Sequence, residues 1–329
     1  MKIAFVVDGG KDRGMGHVQQ SVTLARELKD KADVIFLTKS DSTIVSQIRN
    51  ADFSVIGRSN DDEILRSLKE INPQWIIIDK MDVEEDFARK IKEETSSKLA
   101  IFTNITAANQ YADMAVTADY GIYFKNTKFF DEKTGTLYYY GPRYWILRKE
   151  FCQVERESPK AAYGIERILI MFGGSDPLNI TSAVLNELLG LKEHYVFDII
   201  LGAGFTFFDE LNQILERHAD RRRHVNRYKN IENVAELMRN ADLVITSPGL
   251  SLFESLCVGT PVIAFHQNII QKERTAQVYR GFIPTLSIND VHKLPDMILR
   301  KKFLNPNDDF IRNLQIGQGK KELVEEFFR

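Results

Sequence analysis

The chain is 329 residues long, 43% hydrophobic and 27% charged, with a formal net charge of -2. At about 100–200 residues per domain this length predicts two domains, each with material for its own core. The near-neutral charge gives general nucleic-acid affinity no electrostatic basis, and no stretch approaches the ~20 apolar residues of a membrane span.

Local basic clusters such as Arg221-Arg222-Arg223 read as solvated helix ends. The two cysteines, Cys152 and Cys257, stand far apart in sequence and outside any metal-type cluster. That argues against a disulfide scaffold and favours a reducing compartment. The opening apolar run is too short for a signal peptide, so a cytoplasmic location is expected. Peripheral association with a membrane and the oligomeric state stay open.

In chain order, Ile3–Val7, Val34–Leu37, Trp75–Ile78 and Leu99–Phe102 are unbroken apolar runs of strand length, suited to parallel strands covered on both faces. Between them, Val18, Val22, Ala25 and Leu28 share one helical face, and so do Ile64, Leu65, Leu68 and Ile71 after an Asn60-Asp61-Asp62 start. A further helix is expected from about Val83 to Glu94. Such alternation predicts βαβ units in a doubly wound sheet. The pattern weakens from Tyr111 to Tyr140, and the polar stretch Cys152–Ala162 reads as a linker. Alternation restarts with Ile168–Phe172, Phe197–Leu201, Leu243–Thr246 and Val262–Phe265, with helices expected over Ile180–Leu191 and Ile231–Arg239. The expectation is therefore an α/β protein of two Rossmann-like domains facing each other across a cleft. They span 1–155 (sugar or acceptor) and 156–307 (nucleotide). A charged helix over 308–329 packs back on the first.

Three segments carry residues suited to chemistry. The first is Asp8-Gly9-Gly10-Lys11-Asp12-Arg13-Gly14-Met15-Gly16-His17, between a strand and a helix. Ligands gather at the carboxyl ends of strands in open α/β sheets, and Gly14 and Gly16 allow close backbone approach. His17 opens the helix, whose positive end disfavours imidazolium. A neutral imidazole can act as a general base, with Asp8 and Asp79 as alternatives for that role. A glycine turn with a capping histidine is the plainer reading. The second segment, Phe172-Gly173-Gly174-Ser175-Asp176-Pro177-Leu178-Asn179, turns backbone N–H groups toward a helix start, an anion-binding arrangement without a Walker lysine. A turn with Asn179 as N-cap is the alternative. In the third, a strand ends at Ser247-Pro248-Gly249, and Leu250, Ser251 and Glu254 follow. Glu254 either completes a capping box with Ser251 or accepts from a ribose diol. Gln271 follows the next strand.

Together these segments resemble the GT-B nucleotide-sugar enzymes, most closely the UDP-sugar hydrolases of pseudaminic acid synthesis and the related spore coat polysaccharide biosynthesis proteins. The resemblance covers nearly the whole chain. It rests on Gly14–His17 followed by Thr23-Leu24-Ala25, on Gly141 with Leu147-Arg148 and Glu150-Phe151, and on Gly173–Asp176. Ala235–Met238 with Ala241–Leu243, and Gly249, Ser251, Glu254 and Gln271, extend it. It implies that His17 activates the nucleophile, that the second domain holds UDP with Glu254 on the ribose, and that neither metal nor another cofactor is needed. Three positions depart from the family pattern: Gln20 stands for an arginine, Lys80-Met81 follows Asp79 in place of His-Tyr, and Thr103-Asn104 replaces acidic residues. The leading expectation is a UDP-sugar hydrolase that cleaves the C1–O bond with inversion, in synthesis of a surface glycan or nonulosonic acid. The alternatives are an inverting glycosyltransferase and a non-catalytic nucleotide-sugar binding protein.

Overall fold

The computed structural model describes residues 1–10, 14–118, 125–152, 164–221, 224–229, 231, 233–269, 271–273, 283–302 and 308–329. They fall into two compact units, Met1–Leu147 with Leu314–Arg329, and Arg148–Asn313. The expected boundary at 155/156 lies outside the described residues, as does the expected linker beyond Cys152, and Arg148–Cys152 already belongs to the second unit. Of the basic cluster at 221–223 only Arg221 is described, and its guanidinium donates to the carbonyls of Lys192 and Glu193.

Unit 1 contains β1 (Lys2–Val7), β2 (Asp33–Thr38), β3 (Ser54–Gly57), β4 (Trp75–Asp79), β5 (Lys98–Phe102), β6 (Met114–Thr117), β7 (Thr127–Asp131) and β8 (Thr136–Tyr140). They form one sheet in the order β3-β2-β1-β4-β5-β6-β8-β7, parallel except for the antiparallel edge strand β7. The central strands are apolar on both faces because helices cover both: Ile3–Val7 and Ile76–Ile78 are buried throughout. The helices are α1 (Gly16–Leu28), α2 (Ser42–Asn50), α3 (Asp61–Ile71) and α4 (Glu85–Glu94). Local chemistry sets their starts. Asp41 accepts from the N–H groups of Thr43 and Ile44 at α2, and Asn60 from that of Glu63 at α3. The weak pattern of 111–140 has a physical cause. On β7 the side chains of Lys128, Phe129 and Phe130 are exposed, and its apolar contact is aromatic, with Phe129 stacked on Tyr138 at 5.0 Å.

Unit 2 contains α5 (Lys149–Cys152), β9 (Arg167–Met171), α6 (Ile180–Leu189), β10 (Val196–Leu201), α7 (Phe208–Arg217), β11 (Val225–Lys229), α8 (Val234–Asn240), β12 (Leu243–Thr246), α9 (Leu250–Val258), β13 (Val262–Phe265), β14 (Thr285–Leu286) and α10 (Leu294–Leu299). Its sheet is parallel in the order β11-β10-β9-β12-β13-β14. One apolar core packs β9, β10, β12 and β13 against α6, α7 and α10. In both units the strand order reverses beside the first strand, between β1 and β4 and between β9 and β12. At such a reversal the loops leave in opposite directions and open a crevice at the strands' carboxyl ends.

The segment expected as one helix over 308–329 is two, α11 (Asp308–Asn313) and α12 (Lys320–Glu326). Gln315 and Gly317 take φ of +51° and +71°, which no helix continues through. Within unit 1, Leu323 and Phe327 of this segment are buried. The Trp75 indole N–H donates to the Phe327 carbonyl at 3.1 Å, and the two rings meet edge to face at 5.0 Å. The Tyr139 hydroxyl, on a fully buried side chain, donates to Glu326 at 2.7 Å. Gly319 lies so close to Tyr144 that a Cβ would sit 2.6 Å from its ring. Replacement Phe327→Ala should therefore destabilise unit 1 by roughly 3–5 kcal/mol in chemical denaturation. Loss of under about 1 kcal/mol would show that the terminal segment is only an ornament on the sheet.

Candidate functional site

In unit 1 the loop after β1 is pinched at its base. Gly10 and Gly14 exchange backbone hydrogen bonds of 3.1 and 2.8 Å, with φ of +139° and +74°. Both angles lie where L side chains rarely go, which is why glycines stand there. Lys11-Asp12-Arg13 of the motif lie outside the described residues. Gly16 and His17 then begin α1, whose N-cap residue Met15 makes no side-chain bond to the helix start. The His17 ring bonds through Nδ1 to Asp79 Oδ1 at 2.8 Å. Asp79 ends β4, the neighbour of β1 across the strand reversal. Asp79 is thus the charged partner that the sequence offered only as an alternative base. A proton held on Nδ1 by this carboxylate leaves Nε2 as the acceptor.

Two of the departures from the family pattern, Gln20 and Thr103, meet in one cluster on Asp79. Gln20 Nε2 donates to Asp79 Oδ2 at 2.9 Å and to Thr103 Oγ1 at 3.1 Å, and the Ser21 hydroxyl adds a bond of 3.2 Å to the same carboxylate oxygen. An arginine at position 20 would set a cation against Asp79. The neutral amide keeps the hydrogen bond and leaves the charge to His17. Asn104 accepts from the Val83 N–H and donates to Thr106 and Asn109, so it fastens the loop after β5. Thr103 holds φ of +63°, an unusual value for a β-branched residue at a strand end. Lys80 turns away from this group to Asp8, 2.8 Å distant, with both side chains buried. Asp8 also accepts from the Lys39 N–H at 2.8 Å and from the Thr38 hydroxyl at 3.3 Å. Burial pushes the Asp8 carboxyl up, but the Lys80 ammonium and the Lys39 N–H outweigh it and hold it below its ordinary value. Asp8 therefore serves the β1–β2 edge in this geometry, while Asp79 serves His17.

In unit 2 the Gly173-Gly174 turn follows β9, with Gly173 at φ +70°. Gly202 and Gly204 after β10 are part of the same cradle. The Gly204 N–H donates to the Gly174 carbonyl at 2.8 Å, and a Cβ on Gly202 would lie 2.3 Å from that oxygen. The sequence reading missed this pair. Its signal was the Gly-Ala-Gly directly after an apolar strand, facing a second glycine turn. Ser175 is buried beside it. Asp176, expected to touch the nucleotide sugar, aims its carboxylate at α6, accepting from the Ile180 and Thr181 N–H groups at 2.9 Å each. Burial raises its pKa, only partly offset by the Thr181 and Ile180 bonds. Asn179 makes no side-chain cap, so Asp176 is the cap the sequence had assigned to Asn179.

After β12, Gly249 begins α9 in an extended conformation, φ 172°, followed by Leu250 and Ser251. Glu254 then lies on the second turn, beyond the N3 position a capping box requires. It is 4% exposed, and Arg148 stands 3.6 Å from its carboxylate. Burial pushes Glu254 up to about 7, against the pull of Arg148 and with a small push from Glu150. The loop after β13 is tied back to β9, since Gln267 Nε2 donates to the Phe172 carbonyl at 3.1 Å. The Gln271 side-chain oxygen accepts from the Gln267 N–H at 2.7 Å, so Gln271 braces this loop. Among the described residues no helix is long and apolar enough to cross a membrane.

Asp176→Ala should cost about 1–2 kcal/mol of unfolding free energy, the usual loss of a capped helix start, and Asp176→Asn less. Unchanged stability with weakened nucleotide binding would instead give the carboxylate to the ligand.

No family model matches the chain. It is 41% identical over 99% of its length to the uncharacterised protein MJ1062 of Methanocaldococcus jannaschii, of which it spans 66%. It is 26% identical over 99% of its length to the spore coat polysaccharide biosynthesis protein SpsG of Bacillus subtilis, covering 94% of that protein. A UDP-2,4-diacetamido-2,4,6-trideoxy-beta-L-altropyranose hydrolase of Campylobacter jejuni is 22% identical over 78% of this chain and 88% of its own. Among solved structures, Acinetobacter baumannii MurG superposes with a TM-score of 0.63 at 14% identity over 99% of both chains. Anabaena Alr3699/HepE in complex with UDP gives 0.57 at 13% identity, over 100% of this chain and 96% of its own. The chain thus has the GT-B fold and is similar in sequence to a spore coat polysaccharide biosynthesis protein and to a UDP-sugar hydrolase.

Proposed function

We propose that the protein is a UDP-sugar-utilising enzyme of glycan biosynthesis, and that it cleaves the C1–O bond to release UDP. The observation that carries this reading is the His17–Asp79 pair at the strand reversal of unit 1. A base must present an unprotonated nitrogen while its other nitrogen is held, and a buried carboxylate at 2.8 Å does the holding. In this reading His17 takes the proton of the attacking oxygen, which in the leading form of the proposal is water. Asp79 orients the ring and steadies the imidazolium that forms. The crevice of unit 2 takes the nucleotide, with the N–H groups of the Gly173–Ser175 turn on the diphosphate and Glu254 on the ribose diol. Support comes from the glycine cradle, from the buried Glu254 facing Arg148, and from relatives that include a UDP-sugar hydrolase and a solved neighbour in complex with UDP.

Transfer to an acceptor hydroxyl is the second reading. It uses the same base and is favoured by Lys80-Met81, where the related hydrolases read His-Tyr. Release of free sugar from a UDP-sugar panel without acceptor, followed by NMR, selects hydrolysis. Product that forms only with an acceptor selects transfer.

His17→Ala should lower kcat by roughly 10²–10⁴ while UDP affinity stays near wild type. Asp79→Asn should lower kcat on the order of 10²-fold or more through the same ring. Turnover of His17→Ala within a few-fold of wild type would remove His17 from the chemistry.

Glu254 supplies a separate check. A ribose diol donates to an ionised carboxylate, and burial sets this group to ionise only around pH 7. UDP affinity should therefore rise between pH 6 and 8, with a step that Glu254→Gln lacks. At pH 8 that variant should bind roughly 1–3 kcal/mol more weakly. Equal affinity of both proteins across the range would place the ribose elsewhere.

A further inference from the structure

The chain's two cysteines are 105 residues apart in sequence, yet their Sγ atoms lie 3.5 Å from each other in unit 2. We propose that Cys152 and Cys257 form a dithiol modification site, which a small-molecule disulfide of the glutathione class converts reversibly into an intrachain bond between α5 and α9.

The two elements pack against each other and already meet at a second rung. Arg148, just before α5, faces Glu254 of α9 at 3.6 Å. Arg148 and Cys152 are four residues apart, Glu254 and Cys257 three. These are the spacings that bring side chains of one helical face into line. Phe151 is fully buried under the Arg148 guanidinium, which sits 4.7 Å from the ring centre, so the short α5 is anchored from its own middle. The thiols are thus held together by contacts that do not involve sulfur. A disulfide would draw the sulfurs from 3.5 Å to about 2.05 Å.

Access orders the steps. Cys152 is exposed and Cys257 half-buried. The Cys152 thiol gives its proton to solvent, and the thiolate attacks one sulfur of the glutathione disulfide. One glutathione thiolate leaves and takes up a proton. The Cys257 thiolate, likewise deprotonated, then attacks the Cys152 sulfur of the mixed disulfide and expels the second glutathione. Two protein thiols are oxidised and one glutathione disulfide is reduced to two thiols. The second step is intramolecular, so it outruns capture of another glutathione.

The test uses the full chain in reduced and oxidised glutathione mixtures, with peptide mass spectrometry under non-reducing conditions and thermal unfolding. The expected result is a peptide pair joined through Cys152 and Cys257 within a monomeric chain. Tm should rise by roughly 4–16 °C, and dithiothreitol should reverse both changes. Cys257→Ser should halt at a glutathione adduct on Cys152, and neither it nor Cys152→Ser should gain the Tm shift. Wild-type protein that accumulates glutathione on Cys152 without the joined pair would overturn the proposal. So would cross-links found only between chains, or thiols that stay unmodified in excess oxidised glutathione.

Discussion

The chemistry of both units hangs on one topological constraint, the reversal of strand order beside the first strand of each sheet. The chain moves from β1 to β2 and β3 on one side, then returns to lay β4 on the other. Parallel strands all deliver their loops to the same edge, and a reversal is where two loops part and leave backbone uncovered. His17 leaves that edge on one side and Asp79 on the other, so topology joins residues 62 apart in sequence into a 2.8 Å contact. The second unit repeats the device with β9 and β12, which deliver the Gly173 turn and the Gly249 turn.

Within this frame the units treat the helix after their first strand differently. In unit 1 the N-cap residue of α1, Met15, makes no side-chain bond to the helix start, and the ring on its first turn is held by the carboxylate that ends β4. In unit 2 the start of α6 is closed by Asp176. A helix start already satisfied by an internal carboxylate has less positive potential to offer a phosphate. In the reading proposed above, anion contact in unit 2 then falls to the turn itself, which the Gly204 N–H holds through the Gly174 carbonyl. Buried charge is likewise met by local partners. Asp198, wholly buried in β10, is answered by Arg167, Asn226 and Tyr228.

Much of this was legible in the sequence because burial on both faces writes itself as unbroken apolar runs. The strands over 3–7, 75–78, 168–172 and 243–246 and the glycine turns behind them were readable for that reason. What escaped is equally physical. The edge strands β3, β7 and β11 contain no buried residue, so they show no long apolar run. The partner of His17 could not be singled out, since hydrogen bonding across a sheet depends on which strands neighbour each other and not on spacing. The same holds for Gln20 and Thr103, which read as departures from a family pattern when taken singly and as one hydrogen-bonded cluster when folded. Residue type offered Asn179 as the cap, and only the folded turn shows that the Asp176 carboxylate, not Asn179, accepts from the start of α6.

The return of residues 314–329 to unit 1 carries a consequence for the order of events on the ribosome. Domains of a nascent chain ordinarily mature from the N-terminus onward. Here the first unit emerges lacking the residues that cover Trp75 and Tyr139, and all of 148–313 must be translated before they arrive. Unit 2 is contiguous and can mature as soon as it has left the exit tunnel, while unit 1 waits for the Leu323 and Phe327 side chains that complete its packing. The last unit to begin folding is then the first able to finish, and the vulnerable interval of biogenesis belongs to the half of the protein that carries His17.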